Sequence, residues 1–284
     1  MKSSDLESAL PAAEVIAGQV RIALEEDLGE GDLTAGLIPQ DVDSSVQVVC
    51  REEAVLCGTA WFEGVFRQLD PDVVVTWSAA DGDRVAPGRV LCQMQGDTRA
   101  LLSGERTALN YLQTLSGTAT LARRYADAVE GTGVRILDTR KTLPGLRLQQ
   151  KYAVVCGGCH NHRIGLFDAV LIKENHIIAA GSVMAALEAA MAFAQGGEVE
   201  IEVEGPDELR QALDAGVRRI LLDNFDLEQL CQAVETNAGR ARLEASGGVT
   251  LAGIREIAET GVDDISVGAL TKDVTAIDLS MRFV

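Results

Sequence analysis

A repeated pattern in the second half of the chain restricts the possible folds more than any other feature of the sequence. From about residue 134 onward, short runs rich in Val, Ile and Leu alternate with segments that have the i, i+3, i+4 apolar spacing of amphipathic helices. The apolar runs occupy residues 134–141, 169–175, 198–204, 218–224, 241–248 and 263–270. Alternating strands and helices predict a parallel sheet, and nearly continuous apolar strands predict burial on both of its faces.

The number of these strands is six, fewer than the eight of a complete (β/α)8 barrel. We predict an α/β fold with an incomplete (β/α) barrel, and an open doubly wound sheet is the alternative. Polar residues favour the barrel, because they fall at the carboxyl ends of the strands, where barrel enzymes assemble their active sites. These residues are Asp138, Arg140, Lys141, Lys173, Glu202, Asp223, Ser246, Ser266 and Gly268.

The residues that flank the predicted helices support their boundaries. Pro206 suits a first helical turn, and Asp226 and Thr250 suit N-cap positions. Three glycines suit the left-handed conformation that commonly follows a helix: Gly216, Gly239 and Gly261.

The last two predicted strands end in glycine-containing turns, SGG at 246–248 and VGA at 267–269. A single glycine after a strand usually marks only a tight turn. Backbone amides in such turns also permit the close approach of a phosphate, and barrels often bind phosphate after their final strands. Two such turns in succession therefore favour a phosphate ligand.

The first 115 residues show a different pattern of apolar and turn residues. Residues 46–58 and 73–96 show apolar alternation interrupted by Asp-Gly and Pro-Gly turns, which predicts antiparallel strands, and residues 104–131 have a helical pattern. We therefore predict a mixed α+β amino-terminal domain over residues 1–115, joined by helix to the barrel. The barrel domain is predicted over residues 116–271.

The bulk composition limits the partners and the compartment. The formal net charge of −18 argues against nucleic acid, because a phosphate backbone is held by a surplus of Lys and Arg. No apolar run approaches the ~20 residues that cross a bilayer, and the amino terminus lacks the basic start and apolar centre of a signal peptide. We expect a cytoplasmic protein without membrane contact, whose six cysteines are reduced thiols.

Basic residues are nevertheless grouped at the predicted strand ends. Arg140, Lys141, His162, Arg163 and Lys173 supply several positive charges to one face. Carboxylates suit such a group, since Arg grips them through two parallel bonds and Lys acts as a point charge. The pattern predicts a small polyanionic substrate.

Two acidic residues, Glu202 and Asp223, end adjacent βα units. Paired carboxylates that face a phosphate pocket suit Mg²⁺, which takes oxygen ligands and often completes its shell with substrate phosphates. Glu200, Glu202 and Glu204 also alternate along one predicted strand. Because a buried parallel strand has no solvated face, we expect a functional role for at least one of them.

The stretch CGGCHNHR at 156–163 leaves three interpretations open. Its C-x-x-C-H pattern matches covalent haem attachment, and two Cys with two His also suggest a zinc site. The pairs are closer together than in a common zinc finger, and a cytoplasmic location weakens haem attachment. In the third interpretation the cysteines have no chemical role.

Several longer segments resemble the signature segments of the quinolinate phosphoribosyltransferases of NAD synthesis. Together they extend over nearly the whole chain: EDLGEGDLTAGLIP, GERTALNYLQTLSGTAT, LDTRKTLPGLR, KYAV, NHRIGLFDAVLIKENHI, LLDNF and ISVGALTK. The resemblance implies an amino-terminal α+β sandwich domain that the carboxyl-terminal segment 272–284 joins, and an incomplete (β/α) barrel. It further implies a homodimer with active sites formed between subunits. It also implies conversion of quinolinate and phosphoribosyl pyrophosphate to nicotinate mononucleotide, pyrophosphate and CO2.

The resemblance implies roles for individual residues. Those that correspond to quinolinate-binding residues are Arg140, His162, Arg163 and Lys173, with Arg106 reaching in from the partner subunit. Lys141 lies between both substrates, and Glu202 and Asp223 correspond to the metal and ribose-side acids, so these three are the predicted catalytic residues. The other predicted substrate contacts are Ser246, Gly247, Gly248, Gly268 and Lys272.

The sequence departs from the family pattern within CGGCHNHR. The resembled family carries GGGxNHR where this chain has GGCHNHR, so Cys159 replaces a glycine and one substitution creates the C-x-x-C-H match. Glycine tolerates a positive φ that Cys does not readily adopt, which puts the local backbone geometry in question. Two rival classes remain: a related phosphoribosyltransferase-like protein with another substrate, and a redox or haem-binding protein that uses CGGCH.

Overall fold

The structure, a computed structural model, describes residues 3–194 and 197–284. Its strands, in chain order, are β1 (Asp43–Cys50), β2 (Ala54–Val55), β3 (Val74–Trp77), β4 (Arg84–Val85), β5 (Val90–Asp97), β6 (Arg135–Leu137), β7 (Val170–Ile172), β8 (Val199–Val203), β9 (Arg219–Asp223), β10 (Arg242–Ser246), β11 (Asp264–Ser266) and β12 (Leu279–Phe283). Its helices are α1 (Ser3–Ala9), α2 (Ala13–Leu28), α3 (Thr59–Leu69), α4 (Thr98–Ala128), α5 (Arg147–Cys156), α6 (Glu174–Ala180), α7 (Val183–Ala194), α8 (Pro206–Asp214), α9 (Leu227–Asn237), α10 (Ile254–Ala258) and α11 (Ala269–Lys272). A short 3₁₀ helix covers Ala35–Leu37.

The chain divides into two compact units, which are described separately. The first contains the chain up to Arg123, Leu148–Gly158 and Asp273–Val284, and the second contains Arg124–Arg147 and Cys159–Lys272. The boundary predicted between residues 115 and 116 lies inside the long helix α4. Most of helix α5 belongs to the first unit, although its place in the sequence is within the predicted barrel domain. Contacts in space decide such an assignment, and the order of segments along the chain does not.

An antiparallel sheet and the helices that share its hydrophobic core form the first unit. The strand order is β12-β1-β5-β3, and β1 pairs with β12 from Val46 opposite Phe283 to Cys50 opposite Leu279. This pairing brings the carboxyl-terminal segment to the amino-terminal strands. In β1, Val46, Val48 and Cys50 are buried and the residues between them are partly exposed, which is the period of two expected for a half-buried strand.

Helix α4 and the carboxyl-terminal segment approach so closely that only glycine fits at one position. A Cβ atom on Gly117 would lie 2.1 Å from the carbonyl oxygen of Thr275 and 3.3 Å from Cα of Ala276. Because both contacts are with backbone atoms, we expect Gly117→Ala to lower the free energy of unfolding by ~1–3 kcal/mol. Urea unfolding followed by circular dichroism would measure the loss.

The matched control for this prediction is a helical glycine with free space around it. A Cβ on Gly18 in α2 would meet nothing within 4 Å. Gly18→Ala should therefore raise the free energy of unfolding by about 0.5–1 kcal/mol, because alanine loses less conformational freedom in a helix. A Gly117→Ala protein as stable as the unsubstituted chain would contradict the close approach.

A six-stranded parallel sheet forms the second unit, in the order β6-β11-β10-β9-β8-β7. Strands β7 to β11 are therefore neighbours in the order of the chain, without the reversal of order that marks a doubly wound sheet. Strands β6 and β7 lie at opposite edges, and no pairing among the described residues closes the sheet between them. The predicted incomplete (β/α) barrel is confirmed.

The residues predicted at the helix ends take the expected positions, with one exception. Pro206 opens α8, and the Asp226 side chain accepts from the backbone N of Gln229 at 2.8 Å as the N-cap of α9. Thr250 was predicted to cap α10 and does not: its Oγ1 accepts from the backbone N of Gly253 at 3.3 Å, in the turn that precedes the helix. The three predicted glycines have positive φ: Gly216 (79°), Gly239 (75°) and Gly261 (93°).

No single helix among the described residues is long and apolar enough to cross a membrane. Helices α6 and α7 together meet the length and composition of a span, but they are bent by 98° at the break between them. Helix α7 packs against β7 and β8 of the second unit.

Candidate active site

A cavity of about 330 Å³ lies at the carboxyl ends of the strands in the second unit. Its wall is formed by Thr139, Arg140, Lys141, His162, Arg163, Leu171, Lys173, Glu202, Leu221, Glu244, Ser246 and Ser266. Seven residues predicted for the site thus lie together: Arg140, Lys141, His162, Arg163, Lys173, Glu202 and Ser246. They come from different βα units, and the parallel sheet brings its strand ends to one edge.

Positive charge dominates the wall of the cavity. Arg140 and Lys141 follow β6, and Lys173 follows β7. Arg163 donates from Nη1 to the carbonyl oxygen of Ala169 at 3.1 Å, and burial, followed by the charge of Arg140, lowers the pKa of Arg163. Nε of Arg140 is buried and has no hydrogen-bond partner within the described structure. Crowded guanidinium groups with an unsatisfied donor favour an anionic ligand.

A buried carboxylate fixes the segment that carries His162 and Arg163. Asp138 follows β6, is fully buried, and accepts from Nδ2 of Asn161 at 2.7 Å and from the backbone N of His162 at 2.8 Å. The backbone N of Asp138 also donates to the carbonyl oxygen of His160 at 3.0 Å. The sequence indicated a polar strand end at Asp138, and only the structure shows that this residue holds a neighbouring segment in place.

The two predicted metal-side acids lie at the ends of neighbouring strands. Glu202 lines the cavity and forms an ion pair with Nζ of Lys173. Asp223 ends β9 opposite Ser246 of β10, outside the cavity wall, and its Oδ2 accepts from Nδ2 of Asn224 at 2.7 Å. Within the described chain, neither acid belongs to a group of three His, Cys, Asp or Glu ligands within 4.8 Å of one another. A metal ion held here would need ligands from outside the protein.

The two glycine turns lie close to other parts of the site. A Cβ on Gly247, whose φ is +99°, would lie 2.1 Å from Oδ1 of Asn224, and Gly248 has a φ of +59°. On the other turn, a Cβ on Gly268 would lie 3.0 Å from Cδ of Lys141. The missing side chains leave room for Asn224 and for the cavity residue Lys141. The phosphate contacts of these glycines stay predictions.

Besides Asp223 and the glycines of the two turns, two more predicted site residues lie outside the cavity wall. Lys272 ends the short helix α11, where its backbone N donates to the carbonyl oxygen of Gly268 at 3.2 Å. Arg106 is exposed on α4 and belongs to the first unit. The roles of both residues in substrate binding stay predictions.

Sequence reasoning missed a buried ionic network next to the cavity. Nε2 of His162 lies 2.9 Å from Oε2 of Glu200 and 3.5 Å from Oε2 of Glu244. Arg219 lies 3.6 Å from Oε1 of Glu200 and 3.5 Å from Oε2 of Glu244. Burial, followed by the charge of Glu200, raises the pKa of Glu244 to about 7. The available signal was the presence of charged residues within three predicted strand runs, 198–204, 218–224 and 241–248.

The CGGCH motif is divided between the two units. Cys156 ends α5 in the first unit, and Cys159 belongs to the second. Cys156 lies within 4.8 Å of Cys57 and Asp81, whereas His160 forms a parallel bridge with Leu137. In the part of the chain that the structure describes, neither Cys159 nor His160 joins a group of three potential metal ligands.

The backbone at Cys159 is ordinary, although the resembled pattern has glycine there. The non-glycine residues with positive φ in the described structure are Asp41, Asn224 and Ala238, so the φ of Cys159 is one that an L-residue adopts readily. The positive φ of this turn falls on Gly158, at 91°. The substitution by Cys therefore causes no backbone strain at this position.

The chain matches both domain models of one enzyme family. Residues 32–116 match the model described as the quinolinate phosphoribosyl transferase N-terminal domain, and residues 118–282 match its C-terminal domain. The two matches together cover most of the chain.

Individual relatives agree with the domain matches. The chain is 41% identical over 284 residues to a Nicotiana tabacum protein named quinolinate phosphoribosyltransferase (decarboxylating) 2b, mitochondrial, covering 93% of this chain and 80% of the relative. It is 39% identical over 257 residues to a Bacillus subtilis protein named probable nicotinate-nucleotide pyrophosphorylase (carboxylating), covering 90% and 89%. The solved nicotinate-nucleotide pyrophosphorylase from Francisella tularensis has a TM-score of 0.92 at 43% identity, covering 97% and 98%. With its fold, its cavity and these likenesses, the chain belongs to the quinolinate phosphoribosyltransferase family.

Proposed function

We propose that the chain transfers the phosphoribosyl group of phosphoribosyl pyrophosphate to quinolinate with decarboxylation, a step of NAD synthesis. The products are nicotinate mononucleotide, pyrophosphate and CO2. The observation that carries the proposal is the gathering of five basic side chains around one cavity: Arg140, Lys141, His162, Arg163 and Lys173. A pyridine dicarboxylate and a phosphate ester are both anions that such a wall binds. The tobacco relative is named for this transfer and decarboxylation.

The proposed binding mode divides the cations between the two substrates. Arg140 and Arg163 bind the carboxylates of quinolinate, because a guanidinium matches a carboxylate through two parallel N–H bonds. Lys173, held by Glu202, adds a point charge on the same wall. Lys141, whose aliphatic chain lies against the Gly268 turn, stands between quinolinate and the phosphoribosyl group.

The proposed reaction begins with attack of the pyridine nitrogen on the anomeric carbon as pyrophosphate leaves. The ribose carries oxocarbenium-like positive charge in the transition state, and the carboxylate of Glu202 on the cavity wall stabilises it. Loss of CO2 then leaves an electron pair at ring carbon 2, beside the cationic ring nitrogen that stabilises it, until a proton is taken up there. The protein contributes chiefly by positioning and by electrostatics.

Mg²⁺ is the proposed cofactor. Glu202 and Asp223 offer carboxylate oxygens from the ends of β8 and β9, and oxygen is the ligand type that Mg²⁺ prefers. The lack of a third protein ligand beside them, among the described residues, fits an ion that keeps waters and substrate phosphates in its shell. When bound, such an ion neutralises charge on the pyrophosphate leaving group.

The proposed assembly is a homodimer with shared active sites. Four large apolar side chains of the second unit are exposed by more than two thirds: Leu166 (73%), Phe167 (84%), Ile178 (74%) and Phe193 (82%). Exposed apolar side chains of this size favour burial against a partner, here a second copy of the chain. In this dimer the exposed Arg106 of one subunit completes the quinolinate site of the other.

The proposed location is the cytoplasm. None of the six cysteines forms a disulfide in the described structure, and five of them are buried. Reducing compartments keep thiols unpaired, which supports this location.

A direct assay tests the proposed function. Purified protein with Mg²⁺ is expected to form nicotinate mononucleotide from quinolinate and phosphoribosyl pyrophosphate, and not from nicotinate, because the cationic wall suits two carboxylates and nicotinate has one. Product formation is followed by chromatography. Equal turnover of nicotinate would contradict the substrate assignment, and undiminished turnover after chelation of divalent ions would contradict the cofactor.

Substitutions in the CGGCH motif test whether its thiols take part in the reaction. We expect Cys156→Ser and Cys159→Ser each to retain most of the activity, because the proposed chemistry uses neither thiol. Cys159→Gly should be the mildest change, since it restores the residue of the family pattern. Steady-state kinetics measure the effect, and a loss beyond about a hundredfold, ~2.7 kcal/mol of transition-state stabilisation, would mean that the cysteines do chemistry.

A further inference from the structure

Charged residues are buried inside the barrel next to the cavity, and one of them, Glu244, also lines it. Glu200 on β8 is 4% exposed, Glu244 on β10 is 2% exposed, and β9 between them carries Arg219. Alternate residues of a barrel strand face its interior. Glu200 therefore lies one layer below Glu202, and Glu244 one layer below Ser246, at the carboxyl ends of their strands.

Both ring nitrogens of His162 lie within 3 Å of other protein atoms. Its Nδ1 accepts a hydrogen bond from the backbone N of Arg163 at 2.7 Å, and its Nε2 lies 2.9 Å from Oε2 of Glu200. A ring nitrogen that accepts a hydrogen bond carries no proton, so the neutral ring has its proton on Nε2, the nitrogen that faces Glu200.

A positive charge of the protein already pairs with both carboxylates of the network. His162, Glu200 and Glu244 place three potential metal ligands within 4.8 Å of one another. The guanidinium of Arg219, within 3.6 Å of Glu200 and 3.5 Å of Glu244, already supplies the positive charge that a cation would bring. Buried carboxylates persist when they are paired in this way. The group is therefore an ionic support for the ring of His162.

The ring in turn supports Arg163. The backbone of Arg163 is held through its N–H by Nδ1 of His162, and its guanidinium is held through Nη1 by the carbonyl oxygen of Ala169 at 3.1 Å. Asp138 holds the backbone N of His162 at 2.8 Å. A ring that turned away would release the Arg163 N–H and allow the guanidinium to move from the cavity wall.

We propose that Glu200 and Glu244 are positioning residues which, through the ring of His162, hold Arg163 in place for a substrate carboxylate. The assignment rests on the proposed function. It gives His162 a positioning role in addition to the contact with quinolinate that the family resemblance implies. Glu200, as the nearer acceptor, is the stronger of the two supports.

Imidazole ¹⁵N NMR of the full-length protein tests the state of the ring. The chain has three histidines, His160, His162 and His176, so a His162→Gln protein identifies the signals of His162. In the unsubstituted protein without substrate, above the pH at which the ring loses its charge, we expect a protonated Nε2 and an unprotonated Nδ1. In Glu200→Leu the ring should show a mixture of tautomers. A protonated Nδ1 in the unsubstituted protein would overturn the proposal, because it could not accept from Arg163.

Kinetics test the consequence for substrate binding. Leu removes the acceptor at position 200, whereas Gln keeps a carbonyl oxygen that accepts from Nε2. We expect the KM for quinolinate to rise by about tenfold or more in Glu200→Leu and to be partly restored in Glu200→Gln. The KM for phosphoribosyl pyrophosphate should stay within about twofold in both. An unchanged quinolinate KM in Glu200→Leu would overturn the proposal.

A buried charge elsewhere in the same barrel provides the matched control. Asp264 is 1% exposed on β11 and pairs with Arg135 and Arg242 at 2.7 and 3.0 Å. Asp264→Asn should lower stability and leave the quinolinate KM within about twofold. An equal rise in KM would overturn the positioning role, because any lost buried charge would then have the same effect.

Two further comparisons distinguish failure of the positioning role from failure to fold and from failure of the proposed function. If Glu200→Leu fails to fold, Glu244→Gln takes its place, with a raised quinolinate KM expected and an unchanged KM contradicting the role. If the unsubstituted protein does not turn over quinolinate, the proposed function fails. The tautomers of His162 in the unsubstituted and Glu200→Gln proteins then decide the positioning role alone, since they need no turnover.

Discussion

Replacing Arg140 by alanine is expected to lower kcat/KM for quinolinate by about a thousandfold. Arg140 lines the cavity, and its Nε is buried without a hydrogen-bond partner among the described residues. Its guanidinium can therefore donate to a bound anion. Two charge-assisted hydrogen bonds of roughly 1.5–3 kcal/mol each are lost with the guanidinium, and ~4 kcal/mol corresponds to three orders of magnitude in rate. Steady-state kinetics with quinolinate as the varied substrate measure the loss.

The matched control is an arginine of the same unit outside the cavity. Arg210 is exposed on α8 and pairs with Asp207 one turn away. Arg210→Ala should leave kcat/KM within about twofold, since exposed ion pairs contribute little. A loss of less than tenfold in Arg140→Ala, with the fold intact by circular dichroism, would remove Arg140 from the quinolinate site.

Mixing two inactive proteins is expected to restore activity. Arg106→Ala and Arg140→Ala proteins should each be nearly inactive. In a mixed dimer with shared sites, one site carries both lesions and the other carries neither. Random mixing of equal amounts makes half of the dimers mixed, each with one intact site of two, so about a quarter of the unsubstituted activity should return.

A site formed within one subunit predicts the opposite result. If Arg106 served the site of its own subunit, each site of a mixed dimer would carry one lesion, and no activity would return. Two differently tagged subunits recovered in one dimer would first demonstrate the exchange. Exchange without recovery would reject the shared site and leave the proposed reaction standing.

The strands and helices of the barrel could be predicted because their patterns are local. An apolar run such as 218–224 and the helical spacing after it depend only on neighbours along the chain, and the structure places β9 and α9 there. The assignment of α5 to the first unit could not be predicted. It depends on contacts made across long separations in the sequence, which no local pattern encodes.

The cationic residues of the candidate site were predicted better than the ionic network next to them. Arg140, Lys141 and Lys173 follow predicted strands, and parallel strands bring their carboxyl ends to one edge, so a shared cavity followed from topology alone. The contacts between Glu200, Glu244 and the ring of His162 depend on strand register and on the path of a loop. The sequence therefore predicted a functional role for at least one Glu of this strand. It did not identify Glu200 as the one that lies beside the ring of His162.

The sequence by itself determined the repeated strand and helix units, the family segments and the cations at the strand ends, because each is a short-range pattern of residue types. Only the tertiary structure decided that the CGGCH motif is divided between two units and that Cys159 has an unstrained backbone. It also decided that the ionic network around His162 exists. Those outcomes depend on which segments pack together, and packing is settled by the free energy of the whole folded chain.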